Sequence, residues 1–204
     1  NVTLKAQKPP IYPSRTMTQK RLLQLISKDK KKAFEELKSR ILLNLEDLKK
    51  MIEWNYQNNI YVFRLSSDIF LHKSNPKIED YGYDFAKKHL EEIGSLAKKY
   101  KQRLTFHPAQ FNVVGTPHED IFQKTVTELK YHADVLDMMN VSKDGVMVVH
   151  GGGLYGDKEE TIVRWCKNYK RLPKNVQKRL VLENCERMYS IEDCLRISEK
   201  INIP

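Results

Sequence analysis

Cysteine is scarce in this chain of 204 residues. Cys166, Cys185 and Cys194 are odd in number and none sits in a Cys-x-x-Cys pair. That argues against a disulfide framework or a thiolate zinc site, and for a reducing compartment. Long apolar runs are missing as well: no stretch approaches the roughly 18–20 residues of a membrane span, and the opening residues do not read as a signal peptide. The expectation is therefore an intracellular protein with no membrane partner (cytoplasm or nucleoid, or nucleus or mitochondrion in a eukaryote), and a monomer. Acidic charge is in deficit, with 26 Asp and Glu against 36 Lys and Arg, for a net charge of +10 and a pI near 9.4. A basic chain favours a polyanionic partner, nucleic acid first and acidic membrane second, although many basic enzymes bind neither. Glycine is thin at eight residues, yet three of them stand together as Gly151 to Gly153.

What is present suffices for a core. Apolar residues make up 40% of the chain, enough for a single domain over residues 1–204. Residues 1–16 read as an irregular polar segment, with Pro9, Pro10 and Pro13 blocking regular structure. A helical pattern follows from Thr18 to about Tyr56, interrupted by Lys28-Asp-Lys-Lys-Lys32. Its later part carries Phe34, Leu37, Ile41, Leu45, Leu48 and Ile52 at three- and four-residue steps. Further helices are predicted from Tyr83 to Tyr100, from a Thr116 cap to about Met139 (Ile121, Val126, Leu129, Ala133 and Leu136 inward), from Asp157 to Lys170, and from Ser190 to about Lys200. Between them lie short apolar runs: Ile60–Phe63, Leu104–Phe106, Val146–Val149, Leu180–Leu182, and the start of another at Ile201–Ile203.

Strands alternating with helices specify parallel βα units. The pattern predicts an α/β fold, a (β/α)8 TIM barrel in which this chain supplies about five units, since a whole barrel needs about 250 residues. With Asn1 in place of Met at its start, the chain reads as a piece of a longer protein. A doubly wound sheet fits the same alternation, but ligands on three strand ends suit a barrel, where all strand ends converge.

Three of those runs end on chemistry. Leu104–Phe106 stops at His107-Pro108, Val146–Val149 at His150-Gly151, and Leu180–Leu182 at Glu183-Asn184. Carboxyl ends of strands are where α/β folds place their sites. Imidazole and carboxylate are the ligands that Zn²⁺, Mn²⁺ and similar ions take. A lone histidine is more often structural than a ligand; two histidines and a glutamate at equivalent positions point to a metal centre. His72, His89, His118 and His132 lack that placement and are read as structural or solvent-facing. The three glycines either cradle a phosphate or let the backbone approach a metal, and they open no P-loop. Gln110 and Phe111 stand just beyond Pro108, where an amide and a ring could read a base, or where Phe111 could plug the barrel.

The ordered set His107-Pro-Ala-Gln-Phe111, Arg64-Leu-Ser-Ser-Asp68, His150-Gly-Gly-Gly with Tyr155-Gly-Asp-Lys158, and Leu182-Glu-Asn184 resembles the UV damage endonuclease family. Asn1-Val-Thr-Leu4 and the Leu90-x-x-Ile93-Gly94 helix extend the likeness along nearly the whole chain. The resemblance implies a metal-dependent TIM barrel, similar in fold to endonuclease IV and xylose isomerase. It implies nicking of duplex DNA immediately 5′ of ultraviolet photoproducts and some other lesions. Up to three divalent ions are implied, commonly Mn²⁺, with Mg²⁺, Zn²⁺ or Co²⁺ as alternatives. On that likeness His107 and His150 are metal ligands, Glu183 bridges metals and shares in catalysis with them, Gln110 and Phe111 probe the duplex, and Asn1 lies near the damage pocket. Two positions depart from the family pattern: Asn75 where His is common, and Cys185 where Asp is common. Further family ligands fall outside this sequence, so the resemblance implies that the chain alone is inactive. An abasic-site endonuclease or sugar isomerase on the same barrel, and a non-catalytic DNA-binding homologue, remain open at this point.

Overall fold

The computed structural model describes residues 12, 15–185 and 188–203; Asn1, and with it the expectation of a role near a damage pocket, lies outside them. The chain divides into two compact units, Asn1–Arg103 with Met138–Asn140, and Leu104–Asp137 with Val141–Pro204.

In the first unit Thr18 caps α1 (Gln19–Lys28) by accepting from the Arg21 amide. The charged break after it is real: Asp29 adopts an extended backbone, ends α1 and caps α2 (Lys30–Gln57) through the Lys32 amide. The stripe Leu37, Ile41, Leu45 and Ile52 on α2 is completely buried, each side chain contributing about 1.5–3 kcal/mol. Asn58 and Asn59 close α2, Asn59 with a left-handed φ of 57°. Strand β1 is Val62–Arg64, and after a loop α3 (Lys87–Lys99) turns Leu90, Ile93 and Ala97 inward. Gly94 is obligatory there: a Cβ on it would lie 1.6 Å from the Met139 carbonyl oxygen. Arg103 opens β2 (Arg103–Thr105), its amide donating to Tyr61 O at 2.8 Å.

The second unit holds a parallel ladder. Strand β3 (Met147–His150) pairs with β4 (Leu180–Glu183) in the register Met147↔Leu180 to His150↔Glu183. Phe106, just beyond β2, bridges Met147 in the same sense: its amide donates to Val146 O at 2.9 Å and its carbonyl accepts from Val148 at 3.0 Å. Leu104, Phe106, Met147, Val149, Leu180 and Leu182 are buried along one side, and the alternate residues are half-buried on the other. The remaining helices are α4 (Glu119–Met138), α5 (Lys158–Tyr169), α6 (Lys174–Arg179) and α7 (Ile191–Ile201). Among the described residues the strands do not close into a barrel, and no helix is long and apolar enough to cross a membrane.

Four expectations need correcting. Thr116 does not cap α4. Its carbonyl accepts from the Asn168 side chain at 3.2 Å and its hydroxyl from His118 N, so the helix begins at Glu119 and the His118 carbonyl takes the first helical bond. That shift buries Phe122 and Thr125 where Ile121 and Val126 were expected inward. Helix α6 had no apolar periodicity to announce it. Finally, Ile201–Ile203 is no strand: α7 continues to Ile201 and Asn202 terminates it in the left-handed region (φ 56°), the usual role of Asn or Gly past a helix end.

Candidate metal centre

Residues paired across a parallel ladder put their side chains on the same side, with neighbouring strands about 4.8 Å apart. The register His150↔Glu183 therefore brings imidazole and carboxylate together. Alternation from the Phe106↔Met147 bridge turns His107 to that side too. The Glu183 Oε2 atom lies 2.8 Å from His107 Nε2 and 3.5 Å from His150 Nδ1. The two imidazoles meet edge to face at 4.9 Å, and one ligand atom from each residue falls within 4.8 Å of the others. Among the described residues this is the one group of that kind.

The hydrogen bonding fits a cation. His107 Nδ1 is 3.3 Å from the carbonyl of Pro108. With its proton on Nδ1 directed there, Nε2 is free to ligate an ion; with the proton on Nε2, the ring donates to Glu183 at 2.8 Å. His150 Nδ1 is buried and makes no hydrogen bond, although it is close enough to Glu183 to pair if charged. Two neutral imidazole nitrogens and one carboxylate are a donor set that Zn²⁺ and Mn²⁺ accept.

Surrounding residues hold the three ligands in place. Pro108 is buried and ends the strand. Ala109 O accepts from both the backbone and the side chain of Asn112, at 3.0 and 2.8 Å, forming a turn that leaves Gln110 and Phe111 exposed. Phe111 is 73% exposed, so within the described residues it plugs nothing. Two of the glycines after His150 have a packing reason in this structure. A Cβ on Gly151 would lie 2.3 Å from the Tyr189 ring, and one on Gly152, at φ +94°, would lie 2.5 Å from Val113 Cγ1. They permit close packing of a buried aromatic and of the loop that carries Phe111. Burial pushes the Tyr189 hydroxyl up to about 12, and it has no hydrogen-bond partner.

Cys185 and Asn75, the two departures, both have local work. The Cys185 sulfur accepts from the amides of Met188 and Tyr189, each at 3.3 Å, as an Asp side chain does in a turn. Asn75 donates to Gln19 at 2.8 Å and accepts from the Lys77 amide. His132, Phe106's neighbour at 4.7 Å, is fully buried, and its Nδ1 lies 2.7 Å from Glu128 O. His118 is exposed and His72 bonds Met17 O at 2.7 Å.

Sequence reasoning missed the frame behind α5. Arg164 Nε donates to Gly115 O at 2.9 Å, and the buried Asn168 amide donates to Val114 O at 2.8 Å. Lys158 pairs with the buried Asp193 at 2.8 Å. Polar residues on helix faces give no sequence signal that separates such anchors from solvated side chains.

The UV-endonuclease UvdE family model matches residues 1–204. The UV-damage endonuclease of Schizosaccharomyces pombe is 38% identical over 210 residues, covering all of this chain and 33% of that protein. The UV DNA damage endonuclease of Clostridium perfringens is 42% identical over 163 residues, 79% of this chain and 39% of that protein. The solved SacUVDE structure superposes with a TM-score of 0.84 at 33% identity, over 97% of this chain and 65% of that one. This chain thus spans between a third and two thirds of the length of these relatives. By sequence along its whole length and by fold, the chain belongs to the UV-endonuclease UvdE family.

Proposed function

We propose that the protein bearing this chain is a metal-dependent endonuclease that nicks duplex DNA immediately 5′ of ultraviolet photoproducts and some other lesions. On this reading the chain supplies about five βα units of a (β/α)8 barrel. The observation that carries the proposal is the convergence of His107, His150 and Glu183 at adjacent strand ends, in a chain of this family.

His107 and His150 hold the ion through neutral nitrogens, and Glu183 supplies the negative charge that keeps it there. A divalent ion held there, Mn²⁺ by preference, would supply Lewis-acid polarisation of the scissile phosphate. Gln110 and Phe111 enter the helix where damage has loosened it: displacing a photoproduct costs less than displacing sound bases, and the ring fills the gap with roughly 1–3 kcal/mol of stacking. Pro108, fixed between this turn and His107, couples entry to the centre. The surplus of lysine and arginine holds the flanking phosphates, with binding to undamaged DNA falling with salt at a log–log slope of roughly −4 to −6.

The test is nicking of irradiated plasmid by the full-length protein with manganese, against unirradiated plasmid. Nicks confined to the irradiated plasmid and leaving 3′-hydroxyl ends are expected. Equal cutting of both plasmids, or cutting only at abasic sites, would overturn the lesion specificity. Binding without cutting would make it a non-catalytic relative.

A further inference from the structure

We infer that Tyr155 is a second DNA-contacting aromatic, stacking on a nucleobase unstacked at the lesion. The inference rests on the reading above and begins from backbone conformation. Six non-glycine residues among those described have positive φ. Asn59, Lys101, Asn140 and Asn202 each follow the end of a helix (α2, α3, α4 and α7), where a left-handed residue is ordinary. His72 is held by its ring bond to Met17 O at 2.7 Å. Tyr155, at φ 49°, follows no helix; it stands two residues before the Asp157 cap of α5. A bulky aromatic in this region is disfavoured and persists where the surroundings impose it, most often at functional sites.

Looseness does not account for it. The Thr161 hydroxyl sits between the carbonyls of Leu154 and Asp157, on either side of Tyr155. The Asp157 side chain then caps α5 through the Glu160 amide at 2.8 Å. With both ends tied and Gly156 at φ +94°, the loop presents the Tyr155 ring 38% exposed. The ring lies against Gly153 and edge-on to His118 at 6.1 Å.

Its position suits DNA. The loop 151–156 leaves β3 directly after His150, and the loop 107–118 leaves β2 directly after His107. They touch where Val113 packs on Gly152 and where His118 meets Tyr155. Each loop therefore raises one exposed aromatic, Phe111 and Tyr155, a few residues beyond a metal ligand. Stacking on a base is sequence-tolerant because every base has a π-face, which suits a reader of damage rather than of sequence.

The strained backbone supplies the test. Tyr155→Gly removes the ring and relieves the φ, so the variant should melt no lower than the natural protein. Affinity for an irradiated duplex, read by fluorescence anisotropy with divalent ions chelated, should fall about tenfold, while affinity for the unirradiated duplex stays within twofold. Tyr155→Phe, which keeps the ring, should bind as the natural protein does. Unchanged preference for irradiated DNA in Tyr155→Gly overturns the inference, as does an equal loss in Tyr155→Phe. Should Tyr155→Gly melt early, Tyr155→Asn decides instead, since Asn tolerates the same backbone without a ring; retained affinity there overturns it. If the natural protein itself shows no preference for irradiated DNA, the proposed function falls and Tyr155 falls with it.

Discussion

Strands β3 and β4 run side by side in register, yet their two ends are built differently. Where they begin, Arg179 is 9% exposed and all three guanidinium nitrogens are engaged: Nε donates to Asp137 at 2.8 Å, Nη1 to Gly145 O at 2.7 Å, and Nη2 to Val141 O at 3.3 Å. Where they end, His150 Nδ1 is buried without a hydrogen bond, 3.5 Å from Glu183, and the His107 ring meets the same carboxylate at 2.8 Å. One end satisfies its polar groups from within the chain and closes the structure. The other gathers two imidazoles and a carboxylate and leaves one imidazole nitrogen without a hydrogen bond. In α/β folds the first pattern reads as stability and the second as a site.

The most damaging way to test that contrast is at the open end. His107→Ala, His150→Ala and Glu183→Ala should each abolish nicking of irradiated DNA by the full-length protein and lower its metal content. Without added metal, stability should change by no more than about 1 kcal/mol. Near-natural nicking by any of the three removes that residue from the centre, and a large loss of metal-free stability would mean the two ends do not differ as argued.

At the closed end the expectation reverses. Arg179→Ala removes the salt-bridge partner of the partly exposed Asp137 and leaves the Gly145 and Val141 carbonyls without this donor, which should cost about 2–3 kcal/mol in denaturant unfolding. Metal bound per folded molecule should not change. Arg179→Lys should recover only part of the loss, because an ammonium cannot reproduce the fork. A loss under 1 kcal/mol would show that the guanidinium is not what holds this end.

His132 sharpens the difference between a buried histidine and a ligand. Burial lowers its pKa from 6.5 to about 4, only partly offset by its bond to the Glu128 carbonyl. The folded pKa is depressed, so the unfolded chain binds the extra proton first. The contribution is whole above pH about 6.5 and is lost as pH falls toward 4, amounting to roughly 3 kcal/mol. Unfolding midpoints at pH 7.5 and 4.5 should show that loss, and His132→Phe should flatten it; an equal slope in the variant would assign the acid sensitivity elsewhere.

The smallest effect concerns Cys185. Its sulfur takes two amides in the turn after Glu183, so Cys185→Asp should be neutral or stabilise by about 0.5–1 kcal/mol, and Cys185→Ala should cost about 1 kcal/mol. Thermal melts of the two variants decide it. If Asp destabilises and Ala does not, the sulfur is a packing group and not a cap.

Much was written in local pattern. The apolar stripe of α2, the Asp29 break, the caps at Asp157 and Ser190 and the apolar runs behind His107, His150 and Glu183 follow from periodicity and side-chain chemistry over a few residues, and the structure keeps all of them. The choice of His107, His150 and Glu183 as candidates was local too, because a strand that stops on a polar residue can be read without its neighbours. Where the pattern misled, a distant partner had intervened. Thr116 lost its capping role when Asn168 took its carbonyl, and Ile201–Ile203 lost its strand when Asn202 ended a helix instead. Only the tertiary structure decided that His150 and Glu183 share a register position, that Gly151 and Gly152 exist to admit Tyr189 and Val113, and that Phe111 and Tyr155 stand out from the loops beside them. Those outcomes depend on hydrogen bonds and packing between residues tens of positions apart, and periodicity within one element carries no information about them.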